Sequence, residues 1–143
     1  MMSGIKDKSL ALWGVASASA QCDKFDDSIT AYKQLIVDFP KNITYKFEFM
    51  QILLSDERLN EAIKEFQDIV ELTTRYDYFY KIFAKIYFQR GIWESSLGCI
   101  DEYLKKFNFD IEGLKLKKDL IVRLNRTHEL ERIENKIKKL NWS

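Results

Sequence analysis

Three stretches of this chain, DKFDDSITAYKQLIVDFPKN from Asp23, ERLNEAIKEFQDIVELTTRY from Glu57 and GIWESSLGCIDEYLKKFNFD from Gly91, align without a gap at a spacing of 34 residues. Residue size recurs with the spacing. Large Phe25, Leu59 and Trp93 are followed by small Ser28, Ala62 and Ser96, then by Tyr32, Phe66 and Ile100, and by Leu35, Ile69 and Tyr103. The half before each stretch repeats too, through Val15, Phe49 and Phe83, through Ala16, Met50 and Ala84, and through Ser19, Leu53 and Tyr87. Both halves place these positions at i, i+3, i+4 and i+7, the face of an amphipathic helix. Each unit therefore reads as two helices of about 12 to 14 residues, turning at QCDK, SDER and QRGI. One such pair cannot bury both apolar stripes, whereas stacked pairs can, so the period predicts a tandem array with one continuous core.

The 34-residue period, the small–small–aromatic signature and the closing Pro40 resemble the tetratricopeptide repeat. The resemblance covers 9–42, 43–76 and 77–110, after a tail at 1–8. It implies an all-α fold, an α-solenoid of antiparallel helix pairs. The chain departs from the family at Leu12, Lys46 and Tyr80, where a tryptophan is usual, and at Thr74 and Asn108, where Pro40 has no counterpart. From Ile111 to 143 the residue-type period fades. Leu114, Leu120, Ile121 and Leu124 still form one stripe, and Leu130, Ile133, Ile137 and Leu140 another. Charged residues fill the other faces, so 111–143 reads as a degenerate fourth pair that caps the array.

Bulk properties narrow the function. A net charge of +1 is too small for a protein that holds phosphate backbones by its field. The charge is uneven, with four bases against seven acids in 43–76 and nine bases against five acids from 111 onward. Cys22 and Cys99 match neither a disulfide framework nor a metal cluster, and both are expected to pack as small apolar side chains. No apolar run approaches the roughly 20 residues that span a bilayer. Cytoplasmic placement is the expectation. Export is the alternative if Lys6, Lys8 and LALWGVASASA, ending at Ala20, act as a signal peptide.

Catalytic patterns are missing. His128, the one histidine, falls in a turn with no nucleophile beside it, and there is no phosphate loop, metal-ligand pair or nucleophile elbow. Asp26–Asp27, Asp56–Glu57 and Asp101–Glu102 read as solvated or helix-start carboxylates. The N-x-S/T triplets at Asn42, Asn125 and Asn141 read as turn chemistry. Neither cofactor nor metal is expected.

The resemblance directs attention to the face lined by each first helix. Carried over position by position, it implies a peptide-binding groove of Trp13, Ser17, Thr44, Phe47, Gln51, Tyr78, Lys81, Lys85 and Phe88, with aromatic anchors and lysines that meet an acidic partner. The chaperone-type carboxylate clamp is absent, since Trp13, Ser17 and Glu48 stand at its positions. A non-catalytic protein-binding module, as adaptor, scaffold or chaperone, is therefore expected. Its alternatives are an RNA-binding array, because 42–66 also looks like a pentatricopeptide unit, and a scaffold that self-associates through its aromatics.

Overall fold

The computed structural model describes the backbone of residues 2–141 and the side chains of residues 9–141. Trp142 and Ser143, and with them most of the last N-x-S/T triplet, lie outside the described residues, as do the side chains of Lys6, Asp7 and Lys8.

The repeat is most literal in the backbone. Asp23, Glu57, Gly91 and Asn125, spaced by 34, are left-handed, with φ of 57°, 60°, 74° and 57°. In each turn the next residue donates its N–H to the carbonyl five positions back: Lys24 to Ser19 at 2.8 Å, Arg58 to Leu53 at 2.8 Å, Ile92 to Tyr87 at 2.9 Å and Arg126 to Ile121 at 2.9 Å. This satisfies carbonyls that a helix end would otherwise leave unpaired, and it offsets a cost of about 1 kcal/mol for a side chain in left-handed backbone. The fourth turn matches the other three, so the period that residue types lose after 110 persists in the chain path.

Between these turns lie α1 (Met2–Gln21), α2 (Phe25–Asp38), α3 (Ile43–Ser55), α4 (Leu59–Leu72), α5 (Phe79–Gln89), α6 (Trp93–Lys106), α7 (Ile111–Arg123) and α8 (Leu130–Asn141), with a 3-10 turn at Thr127–Glu129. Among the described residues there is no strand. The helices fall into two compact units, Met1–Thr74 and Arg75–Ser143. In the first, α1–α2 and α3–α4 are antiparallel pairs joined where α2 packs on α3. In the second, α5–α6 and α7–α8 are joined in the same way by α6 on α7.

The small position explains how two helices approach. Ser28 and Ser96 are fully buried. Each donates its hydroxyl back to the first helix of its own pair, Ser28 to the Ala16 carbonyl at 2.9 Å and Ser96 to the Ala84 carbonyl at 2.7 Å. Around these contacts Leu35, Met50, Phe66 and Ile69 close the first core, and Phe83, Ile100, Leu120 and Ile121 the second. Burial of each such side chain contributes about 1.5–3 kcal/mol.

The junctions inside the units are also alike. Asn42 accepts the Tyr45 N–H at 3.1 Å and caps α3, while Asp110 accepts the Gly113 N–H at 3.1 Å and caps α7. A Cβ at Gly113 would meet Asp110 Oδ2 at 3.1 Å and Leu104 at 3.2 Å, so glycine admits the cap there. No side chain caps α5, and it begins only after a longer irregular stretch.

Three expectations differ from the structure. Residues 2–8, read as tail, continue α1 as helix. Val15, grouped with buried Phe49 and Phe83, is 55% exposed: Phe49 packs against Tyr32 of α2, and among the described residues no ring stands in the matching place beside Val15. Cys22 is exposed, since it lies in the turn after α1, whereas Cys99 is buried as expected. The leader-like segment folds as α1, with Ala16 fully buried.

Candidate functional site

On the first-helix side of unit 1, Trp13 is half-buried and its indole Nε1–H donates to Glu48 Oε2 at 2.6 Å. The Tyr32 hydroxyl donates to the same oxygen at 2.8 Å. Burial, then this bond to Glu48, pushes the Tyr32 phenol up to about 12. The Trp13 ring lies 6.1 Å from Tyr45, whose hydroxyl is 3.0 Å from Ser9 Oγ. Ser17 is half-buried, and its hydroxyl works against the rise at Tyr32 by favouring the phenolate. Phe47 is half-buried, and Thr44 and Gln51 are exposed. Trp13 is therefore an anchored ring with its polar atom already satisfied. Glu48, which the groove pattern did not include, is the group that holds it.

In unit 2 the lysines are held by the chain itself. Lys81 Nζ lies 2.7 Å from Asp110 Oδ2 and 3.0 Å from Glu112 Oε2, and Lys85 bonds Glu112. Burial works against the Lys81 ammonium, but its bonds to Asp110 and Glu112 outweigh that and raise its pKa. Asp110 also loses by burial yet is lowered below its usual range by Lys81 and the Gly113 N–H. Glu112 is lowered to about 2, by Lys85 first and then Lys81. The expected basic patch is thus a neutralised cluster.

Tyr78 is 44% exposed, with its ring 5.0 Å from Phe79 and 6.4 Å from Tyr76. Phe88 is half-buried edge-on against Trp93 at 5.2 Å, and the Arg123 guanidinium covers both rings at 5.1 and 4.7 Å. The structure therefore brings together Trp13 and Phe47's helix in one unit and Lys81 and Lys85 in the other, with the surrounding aromatics largely packed.

A second kind of surface lies on the side of the second helices, at equivalent places 68 residues apart. In unit 1 a groove of about 410 Å³ between α2 and α4 is lined by Ile36, Val37, Phe49, Lys64 and Glu65. Glu65 Oε2 is buried without a hydrogen-bond partner, and burial raises its pKa against the opposing charge of Lys46. Lys46 is only 9% exposed. In unit 2 the corresponding groove, about 620 Å³ between α6 and α8, has Leu104, Lys105, Lys117, Arg132 and Ile133. Leu114 and Ile133 stand where unit 1 has Lys46 and Glu65.

For catalysis the described residues offer little. His128 is exposed, with Nε2 4.0 Å from Glu129. The Cys99 thiol is pushed up to about 11 by burial and by Glu102, which keeps it protonated and unreactive. Among the described residues no group of three or more His, Cys, Asp or Glu could hold a metal ion, and no helix is long and apolar enough to cross a membrane.

No family model and no curated protein matches this chain. Solved structures do. MamA protein is 13% identical with a TM-score of 0.71, over 95% of this chain and 74% of that one. A tetratricopeptide repeat protein from Parabacteroides merdae is 16% identical at TM-score 0.71, over 96% and 55%. The fold is that of the tetratricopeptide repeat. The Yersinia enterocolitica type III secretion translocator chaperone SycD is also similar, 16% identical at TM-score 0.55, over 95% of this chain and 93% of that one. At these identities the likeness establishes fold alone: all-α, of the helical-repeat solenoid class.

Proposed function

We propose that the chain is a non-catalytic protein-interaction module, an adaptor or chaperone-like scaffold, and that the first-helix face of its repeats receives a peptide segment of the partner. The observation that carries this reading is the exposed α3 row of Thr44 and Gln51, beside Phe47 and an indole already fixed by Glu48. Rings whose rotamers and polar atoms are settled before binding lose little freedom on contact, which favours them as anchors. The kinship of fold with a translocator chaperone and a tetratricopeptide repeat protein supports a protein as the partner.

In unit 2, Tyr78 and Phe88 offer apolar area, and Lys81 and Lys85 engage a partner carboxylate only by sharing it with Glu112 or displacing Glu112. Affinity capture with mass spectrometry, wild type against Phe47→Ala/Gln51→Lys, tests the reading. The variant is expected to stay helical and to lose specific partners. An unchanged partner set removes this face from the account.

A further inference from the structure

The groove between α6 and α8 has an apolar floor of Leu104, Leu114 and Ile133 and a rim of cations. Of its two carboxylates, Asp101 is held by Lys117 Nζ at 2.8 Å, an ion pair rather than an aligned hydrogen bond, and Glu129 lies 4.0 Å from the exposed His128. Arg132 and Lys136 make no ion pair among the described residues. Lys136 Nζ sits 5.7 Å over the ring of Phe109, which is 68% exposed. A shallower groove of about 510 Å³ continues along α8 and shares Arg132 and Lys136 while adding Lys139.

The scaffold does not require this charge. At the equivalent places in unit 1, Lys105, Arg132 and Lys136 are replaced by Val37, Lys64 and Asp68. Arg132 thus keeps a basic counterpart in Lys64, whereas Lys105 and Lys136 are cations that the unit 1 groove lacks at the matching places. Lys136 lies over the exposed ring of Phe109, and α8 already shows enough polar surface to water through Glu131, Asn135 and Lys138.

We infer that this groove docks an acidic peptide segment bearing apolar side chains. Arg132 offers a planar fork for a carboxylate, Lys136 a second point charge, and Phe109 with the floor takes the apolar side chain between them. Nucleic acid is disfavoured because the chain as a whole carries only +1 and the floor of Leu104, Leu114 and Ile133 suits apolar side chains and not a phosphate backbone. The surface is separate from the first-helix face, so it stands or falls independently of the function proposed above.

The test uses the full chain and fluorescence anisotropy. The probes are a labelled Glu-Glu-Leu repeat peptide of about twelve residues, its Lys-Lys-Leu counterpart and an oligouridine of similar length. The acidic peptide is expected to bind, more weakly at about 0.5 M salt than at about 0.05 M. Arg132→Glu/Lys136→Glu is expected to weaken it at least about tenfold, with Arg132→Gln/Lys136→Gln intermediate. Lys64→Glu, at the matching place in unit 1, and Phe47→Ala should leave it unchanged. Equal binding of the lysine peptide, equal binding by the double charge reversal, an equal loss in Lys64→Glu, or tighter binding of oligouridine would each overturn the proposal. Arg132 is exposed and Lys136 half-buried, and helicity measured by circular dichroism separates loss of binding from loss of fold.

Discussion

Units 1 and 2 are two renderings of one 68-residue design, and they differ mainly in where they put charge. Both hold a serine hydroxyl on a first-helix carbonyl, both cap the next helix with an Asx side chain, and both pin the second turn with an arginine. Arg58 reaches Asp26 at 3.1 Å and Arg126 reaches Glu94 at 2.8 Å. On this shared frame, unit 1 buries Lys46 and half-buries Glu65 where unit 2 buries Leu114 and Ile133. Unit 2 instead places its charge outside, on the lysine–carboxylate cluster of α5 and α7 and on the α6–α8 rim. A scaffold set by turns and small residues leaves the remaining positions free to differ.

The largest test of that comparison lies in the interior. Lys46→Leu alone is expected to cost on the order of 1–2 kcal/mol near pH 7, because half-buried Glu65 loses the nearby charge that offsets its partial burial. The Glu65 pKa is raised, so the penalty belongs to its ionised form and shrinks as the pH falls and Glu65 takes up a proton. Adding Glu65→Ile gives unit 1 the pair of unit 2 and should restore at least the wild-type stability in urea unfolding. A double variant less stable than Lys46→Leu would show that the two cores are not interchangeable.

Next come the serines. Ser28→Ala and Ser96→Ala should each cost about 1 kcal/mol, and clearly unequal unfolding midpoints would break the claim that the two hairpins close alike.

Acid should separate the units further. Glu112 and Asp110 have depressed pKa values, so their contribution is present above their ordinary range and is lost as pH falls, for Glu112 from 4.5 toward about 2. Asp110 titrates below its ordinary value of 3.8 while Asn42 cannot titrate, so the Gly113 amide resonance should shift there in NMR while that of Tyr45 stays in place. Movement of both together would assign the change to general unfolding.

The smallest effect belongs to the arginine pairs, which are partly exposed. Arg58→Ala and Arg126→Ala should each cost about 0.5 kcal/mol, diminishing in high salt.

Much of the fold was legible because a helix reports its buried face every 3.6 residues and because the unit length recurs. Ser28, Ala62 and Ser96 could be aligned before any contact was known. Residues 111–143 looked irregular since Asn125 replaces Gly91 and Leu130 replaces Ser96, yet the turn they belong to is the same. The site was less legible. Trp13 and Lys81 occupy the same repeat position, but Trp13 is fixed by Glu48 on the next pair and Lys81 by Asp110 and Glu112. Nothing in the local spacing distinguishes a lysine that will meet a carboxylate about thirty residues away from one left open.

The sequence alone determined the period, the helix pairs and the turns between them, because these follow from local backbone geometry and the size of residues at fixed intervals. The tertiary structure alone decided that Val15 and Cys22 lie open, that the groove lysines are already paired, and that among the described residues Arg132 and Lys136 have no ion pair. Those outcomes depend on which side chains neighbouring helices present to one another, and Coulomb and hydrogen-bond energies at 3 Å are set by that meeting and not by the order of residues along either helix.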